Sequence, residues 1–278
     1  MGIFEAIFFG LVQGITEYLP VSSSAHLSVL FNLFGSAGTG FNVKAFSVFL
    51  HFGTILSAMI LYWQDYAEIV FEVMEFIGSA AVQGGKRRKN FPAVRMLFMM
   101  AVSMLPLLLV IPLSGNIARL YEMNGFIGIM LILSGTVIYI SDYFMEGSKT
   151  ERNMTFSDAV ILGLCQAVSA IPGISRVGTA YTGGVAVGLK REFSAKFAVM
   201  LSVPVMLGAN LVRLFDAAES PFSLADVPVC LVGMAAAIIA GIISIRFFRT
   251  IAKKGKFRNV GYYCWVAGVL SIILTMIF

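Results

Sequence analysis

The sequence has 278 residues, of which 58% are hydrophobic and 13% are charged, and its formal net charge is +5. A water-soluble domain of this composition would lack the polar residues needed to cover its surface, so we expect an integral membrane protein. The three cysteines lie in apolar stretches without a paired spacing, which predicts neither a disulfide framework nor a zinc site.

The first half of the chain begins with two apolar segments, Gly2–Leu19 and Ser24–Phe34, which are too short or too polar to cross a bilayer. Pro20 lies between them. A polar stretch, Gln64–Asn90, follows the first predicted span, Lys44–Trp63. Its glutamates recur at helical spacing, which predicts an amphipathic connector at the cytoplasmic surface. The predicted spans of this half are Lys44–Trp63, Phe91–Leu113 and Met123–Tyr143.

The second half repeats this order of segments. Two short apolar segments, Phe156–Ala170 and Val177–Leu189, are separated by Pro172-Gly173 and precede three further spans. The predicted spans of this half are Phe193–Leu214, Val227–Phe248 and Asn259–Phe278.

A short sequence match supports an internal repeat, because Gly10-Leu11-Val12-Gln13 corresponds to Gly163-Leu164-Cys165-Gln166. Proline-interrupted short segments at matching places in two halves are typical of re-entrant helices around a site near the membrane midplane. We therefore expect an all-α polytopic membrane protein with one domain, 1–278. It would contain about six full transmembrane helices plus two re-entrant helix pairs, in an inverted-topology repeat with halves of approximately 1–143 and 155–278.

The distribution of basic residues predicts the orientation of these segments. If the first re-entrant pair enters from outside and the second from the cytoplasm, 16 of the 20 basic residues lie on the cytoplasmic side. The outer side then holds Lys44, Arg119 and Arg213, while Arg176 lies within the membrane. This bias satisfies the positive-inside rule and places both termini outside. The basic residues thus face anionic lipid headgroups, and we expect no nucleic-acid partner.

Polar residues are concentrated in the first interrupted segment. Gln13 and Glu17 are four residues apart and so share one face of a helix. The run Ser22-Ser23-Ser24 can cap the next helix, whose free N–H groups and hydroxyls would suit a phosphate. His26 follows Ser23 by three residues, so their side chains can meet on one helix face as a nucleophile and its base.

The second interrupted segment carries a deeply placed arginine. Ser175, after the break at Gly173, can cap a helix with Arg176 and Thr179 in its first turn. An arginine at membrane depth needs an anionic partner, either Glu17 or a substrate phosphate, which its planar fork can bind bidentately. Two helix N-termini brought together by the repeat would suit two adjacent phosphates.

A divalent cation is a further expectation, since Gln13 and Glu17 offer the oxygen ligands that Mg²⁺ or Ca²⁺ prefers, shared with phosphate. His51, on the first span, fits either a role in the site or simple helix packing. The nucleophile is likewise open among Ser23, His26 and a metal-bound water.

Two motifs resemble the signatures of the undecaprenyl-pyrophosphate phosphatase family. These are Gln13-Gly14-Ile15-Thr16-Glu17-Tyr18-Leu19-Pro20-Val21-Ser22-Ser23-Ser24-Ala25-His26 and Pro172-Gly173-Ile174-Ser175-Arg176. The resemblance implies hydrolysis of undecaprenyl pyrophosphate to undecaprenyl phosphate and phosphate, with a divalent cation, at the outer face of the bacterial inner membrane. The partners would be that polyprenyl pyrophosphate lipid, membrane lipids and, as a homodimer, a second copy of the chain.

The resemblance also implies roles for individual residues. It identifies Glu17 as the essential glutamate, Arg176 as the phosphate-binding arginine, and Ser23 or His26 as the nucleophile. We also expect substrate contacts for Ser22, Ser24, Gly173 and Ser175. The chain departs from the family pattern at Gln13, where the family has glutamate, and at Val177 and Ala180, where the family has serine and threonine. Thr179 is a candidate to supply the displaced hydroxyl.

A transporter or flippase of a phosphorylated lipid or anion is the main alternative, because inverted repeats with broken helices are also a transporter architecture. A second class of membrane phosphatase uses paired histidines on separate motifs. That class is disfavoured here, because no histidine follows Arg176.

Overall fold

The computed structural model describes residues 1–34, 41–81, 91–218 and 222–277, and these ranges fold almost entirely into helices. The α-helices are α1 (Ile3–Tyr18), α2 (Ser23–Phe34), α3 (Val43–Leu61), α4 (Trp63–Ala81), α5 (Pro92–Met104), α6 (Ser114–Leu120), α7 (Asn124–Ile140), α8 (Phe156–Val168), α9 (Arg176–Ala186), α10 (Arg191–Ala218), α11 (Val227–Lys254) and α12 (Arg258–Ile277). Three 3₁₀ segments, Leu105–Leu113, Ser141–Tyr143 and Leu224–Asp226, lie between them.

Six helical stretches of the described residues are long and apolar enough to cross a membrane, which confirms the six predicted spans. They are Val43–Leu61, Pro92–Leu120, Asn124–Tyr143, Arg191–Phe215, Leu224–Lys254 and Arg258–Ile277. The second is longer than predicted, because the 3₁₀ segment that contains Pro106 and Pro112 joins α5 to α6 without a loop. The chain is therefore a multi-pass membrane protein.

The four short apolar segments form separate helices, α1, α2, α8 and α9, as their predicted interruptions require. Leu19 caps the end of α1 and Pro20 follows it, since proline has no N–H with which to continue the helix. The turn before α9 holds Gly173 at a positive φ of 102°. A Cβ atom added there would lie 2.6 Å from the Cβ atom of Met130 on α7, so both the backbone and the packing favour glycine.

The predicted amphipathic connector is helical as far as Ala81, and its basic run, Lys86–Lys89, lies outside the described residues. The carboxylate of Glu72 on α4 accepts hydrogen bonds from the backbone N–H groups of Ala93, at 2.7 Å, and Val94, at 3.1 Å. Since these N–H groups belong to the first turn of α5, Glu72 caps that helix and fixes α4 beside it.

Glycines allow two helix pairs to pack closely. A Cβ atom added to Gly14 on α1 would lie 2.6 Å from the carbonyl oxygen of Ala237 on α11. Gly128 of α7 and Gly268 of α12 face each other: a Cβ atom added to either would lie 2.6 Å from the carbonyl oxygen of the other. Small residues of this kind let helix backbones approach in a membrane, where dispersion rather than the hydrophobic effect stabilises association. The α1–α11 contact thereby fixes the helix that carries Gln13 and Glu17.

Candidate active site

The N-termini of α2 and α9 meet at one cavity, as the two interrupted motifs predict. Its wall includes Ser22–Ser24 at the start of α2 and Ser175 and Arg176 at the start of α9. Glu17 from α1 completes this part of the wall. The free N–H groups and the positive dipole ends of both helices therefore favour an anion in this cavity.

Glu17 is the centre of the polar contacts, although its side chain is buried at 4% exposure. Its Oε2 atom accepts hydrogen bonds from Nε2 of Gln13, at 2.9 Å, and from the hydroxyl of Ser23, at 2.6 Å. On the other carboxylate oxygen, Oε1, Nη1 of Arg176 lies 3.5 Å away. Gln13 and Glu17 thus lie on one helix face as predicted, Glu17 is the one of the two expected partners that the structure gives Arg176, and Ser23 joins them.

Ser22 shapes the turn that presents Ser23 to this carboxylate. Its φ of +66° is in the left-handed region, which a non-glycine residue adopts at a cost. Its hydroxyl accepts a 3.4 Å hydrogen bond from the N–H of Ala25, which confirms the predicted serine cap at this helix start. The same hydroxyl lies 3.1 Å from that of Ser24, so these two serines interact with each other.

His26 does not meet Ser23, contrary to the expectation from helical spacing. Its Nδ1 atom lies 2.8 Å from the carbonyl oxygen of Ser22, and its Nε2 atom lies 2.7 Å from the hydroxyl of Tyr263 on α12. Both ring nitrogens are therefore engaged away from Ser23, whose hydroxyl is held by Glu17 instead. The carbonyl oxygen of Ser22 lies one helical turn before His26 and so competes with Ser23 for the imidazole.

Ser175 caps α9 as predicted, since its hydroxyl accepts a 3.1 Å hydrogen bond from the N–H of Gly178. The hydroxyl of Thr179 lies 2.9 Å from the carbonyl oxygen of Ser175 and 3.1 Å from that of Arg176. It is thus engaged by the helix backbone, and neither Thr179 nor Gly173 is among the cavity-lining residues that the structure describes.

The departures from the family motif after Arg176 have a structural explanation. Val177 and Ala180 are both fully buried and belong to the main hydrophobic core. Apolar side chains at these two positions pack among apolar neighbours, so they remove no polar group from the cavity wall.

The sequence patterns did not identify Arg213 as a site residue and left the role of His51 open. Arg213 of α10, assigned above to the outer surface, lines the cavity with its guanidinium 3.0 Å from Nε2 of His51 on α3. His51 is therefore part of the cavity wall and not only a packing residue. A useful signal is present in the sequence, because Arg213 is the one basic residue inside the otherwise uncharged stretch from 197 to 215.

The cavity itself is small, at about 40 Å³, which is enough for a few water molecules. An entering phosphate would therefore take over donors that now face Glu17. The 3.5 Å distance from Arg176 to Glu17 is longer than the 2.7–2.9 Å of a close charge-assisted hydrogen bond, which leaves the guanidinium available for such an exchange.

The sequence is similar to known proteins over its whole length. The family model described as "Bacitracin resistance protein BacA" matches residues 6–270. A protein of Halothermothrix orenii named undecaprenyl-diphosphatase is 32% identical, covering 100% of both chains. Proteins with the same name from Methanosphaera stadtmanae and Pelotomaculum thermopropionicum are 32% and 33% identical, covering 99% or more of this chain and 97% or more of theirs. The chain therefore belongs to the bacitracin resistance protein BacA family.

Proposed function

We propose that the protein hydrolyses undecaprenyl pyrophosphate to undecaprenyl phosphate and inorganic phosphate. The observation that carries this proposal is the 2.6 Å hydrogen bond from the Ser23 hydroxyl to the Glu17 carboxylate, beside Arg176 and between two helix N-termini. A hydroxyl, a base and an anion site are the components that phosphoryl transfer needs. The names of the relatives agree with this reaction and not with a transporter.

In the first step, the Ser23 oxygen attacks the terminal phosphorus of the pyrophosphate and its proton moves to Oε2 of Glu17. The bond from that phosphorus to the bridging oxygen breaks, and the electron pair stays on the bridging oxygen, which takes the proton from Glu17. Undecaprenyl phosphate leaves, and the transferred phosphate remains on Ser23. Arg176 and the N–H groups of α2 and α9 stabilise the negative charge that develops on the equatorial oxygens.

In the second step, a water molecule attacks the phosphoserine and gives its proton to Glu17. The Ser23 oxygen leaves, recovers that proton and restores the starting state. In this proposal His26 takes no part in the transfers, since its ring nitrogens contact Ser22 and Tyr263. It instead supports the turn that presents Ser23.

The donor set also fits a divalent cation, Mg²⁺ or Ca²⁺, that is bound mainly through the substrate. Oε1 of Gln13 is a buried oxygen for which the described residues provide no hydrogen-bond donor. The amide nitrogen of Gln13 faces Glu17, so rotation of the amide would bring this oxygen beside the carboxylate as a second hard ligand. No group of three metal-binding side chains occurs among the described residues. Gln13 and Glu17 would hold such an ion together with phosphate oxygens, and the ion would neutralise phosphate charge.

We also propose that the two short helix pairs are re-entrant and related by an inverted repeat. The matching Gly10 and Gly163 support this, because each approaches a helix of the other half, α11 for Gly10 and the α5 region for Gly163. With the basic-residue bias, this arrangement opens the site to the outer side of the bacterial inner membrane.

Phosphate release from undecaprenyl pyrophosphate by the purified chain in detergent micelles tests the proposed reaction. Micelles have no second compartment, so a transporter would give no signal. We expect steady phosphate release that requires Ser23 and Glu17. Absence of release in the presence of Mg²⁺ and of Ca²⁺ would contradict the proposal.

A further inference from the structure

The candidate site contains a second guanidinium that the two-step reaction above does not use. Arg176 and Arg213 both line the cavity, whereas Glu17 is the single carboxylate among its described lining residues. Arg176 lies beside Glu17, but no described carboxylate forms an ion pair with Arg213. The cavity therefore carries more positive charge than its own carboxylate can balance, and a second phosphate would supply the missing negative charge.

His51 holds Arg213 in place. Its Nδ1 atom lies 2.7 Å from the carbonyl oxygen of Ser47, one helical turn earlier, so this nitrogen carries the proton and donates it. Nε2 is then the nitrogen that can accept from Nη1 of Arg213, at 3.0 Å; the same Nη1 lies 3.3 Å from Nδ1, so the guanidinium packs against the imidazole ring. Because a guanidinium has five N–H donors, the contact with His51 leaves others free for an anion.

The contacts of the two arginines assign them to different phosphates. Arg176 shares Glu17 with Ser23, so it lies beside the phosphorus that the serine attacks. Arg213 contacts His51 on α3 and not Glu17. It enters the cavity from α10, whereas Arg176 enters it from α9.

Resting on the proposed function, we propose that Arg213, positioned by His51, binds the phosphate that stays on the lipid. The site then recognises a pyrophosphate through two separate guanidinium groups. Arg213 would hold the lipid monophosphate product, and Arg176 the released inorganic phosphate.

Direct binding of the two products to the purified full-length chain in lipid nanodiscs tests this assignment without relying on turnover. The probes are undecaprenyl monophosphate and inorganic phosphate. We expect Arg213→Gln to weaken binding of undecaprenyl monophosphate by roughly 10- to 100-fold, as loss of a charge-assisted contact implies, and to leave that of inorganic phosphate within about twofold. Arg119→Gln is the matched control, since Arg119 is an exposed arginine that does not line the cavity.

His51 is tested as a positioning residue. His51→Leu removes the acceptor for Arg213 and should weaken binding of the lipid monophosphate, whereas His51→Gln keeps an acceptor oxygen and should restore most of it. Should Arg213→Gln fail to fold, Arg213→Lys removes the planar fork and keeps the positive charge, and we expect it to weaken binding of the lipid monophosphate as well. Unchanged binding of undecaprenyl monophosphate in these Arg213 variants, or a loss confined to inorganic phosphate, overturns the assignment. Lack of hydrolysis by the wild-type chain would instead contradict the proposed function.

Discussion

The hydroxyl of Ser23 donates a 2.6 Å hydrogen bond to Oε2 of Glu17, and this contact joins the end of α1 to the start of α2. A serine hydroxyl is a weak nucleophile unless a base accepts its proton. The contact therefore defines both the attacking atom and its base in the proposed reaction.

Replacement of the base gives the first prediction. Glu17→Gln keeps an oxygen that can accept from Ser23 but cannot take its proton, so we expect kcat to fall by about 10²- to 10⁴-fold. Because the substrate contacts of Arg176 remain, KM should change much less. Steady-state phosphate release from undecaprenyl pyrophosphate measures both constants, and a kcat within a few-fold of wild type would exclude Glu17 as the base.

The shape of the guanidinium gives the second prediction. Arg176→Lys keeps the positive charge but loses the planar fork that binds two phosphate oxygens. We expect kcat/KM to fall by roughly 10- to 100-fold, as loss of one charge-assisted hydrogen bond implies. Arg95→Lys is a suitable control, because Arg95 contacts the carbonyl oxygen of Met154 away from the cavity. Equal losses in both variants would point to a structural effect of arginine loss rather than to phosphate binding.

Metal removal gives the third prediction. If Gln13 and Glu17 hold a divalent cation with the substrate, EDTA should suppress phosphate release, and added Mg²⁺ or Ca²⁺ should restore it. Gln13→Glu supplies a second carboxylate, so it should lower the cation concentration that gives half-maximal activity. Full activity after exhaustive chelation would remove the cation from the account.

The close approach of α1 to α11 gives the fourth prediction. The Cβ atom in Gly14→Ala would lie 2.6 Å from the Ala237 carbonyl oxygen, and such overpacking costs about 1–3 kcal/mol. We expect a lower thermal unfolding midpoint in detergent. Gly78→Ala is the control, since nothing lies within 4 Å of its added Cβ atom and alanine favours a helix. Similar midpoints for the two variants would disagree with this packing.

Membrane orientation gives the fifth prediction. In a chain without its native cysteines, Glu122→Cys should react with an impermeant thiol reagent on intact cells, whereas Arg152→Cys should react only after lysis. The positive-inside bias is the reason, because it places these two exposed positions on opposite sides. The reverse labelling pattern would invert the proposed topology and move the site to the cytoplasmic side.

Much of the architecture follows from the sequence, because span length and proline position act locally. The lengths of the apolar stretches predict the six spans, and the breaks at Pro20 and Pro172-Gly173 predict the four short helices. Helical spacing also predicts the Gln13–Glu17 contact, which is an i to i+4 pair on one helix.

The contacts that depend on turn geometry or tertiary packing are harder to predict. Helical spacing suggests that Ser23 meets His26, but the imidazole contacts the backbone carbonyl oxygen of Ser22 and the hydroxyl of Tyr263 on another helix instead. Arg213 reaches His51 from a different helix, 162 residues away in the chain, and no local pattern encodes that distance. Such partners become visible only when the helices are packed.

The covalent step gives an independent check of the nucleophile. Rapid acid quenching of the enzyme with substrate labelled in its terminal phosphate should retain label on Ser23, because phosphoserine is stable to acid. A parallel quench in base would retain label on His26, which acid removes, and finding that label would contradict the serine assignment. Direct attack by water would leave no labelled protein at any quench time.

The proposed reaction depends on attack by Ser23 on the pyrophosphate, and phosphate release by Ser23→Ala measures that dependence. Ser157→Ala is the matched control, since Ser157 is an exposed serine on α8 that does not line the cavity. We expect Ser23→Ala to lose at least about 10³-fold in kcat, as removal of a nucleophile implies, while Ser157→Ala retains the wild-type rate. A Ser23→Ala variant that releases phosphate within tenfold of the wild-type rate would contradict the proposed mechanism.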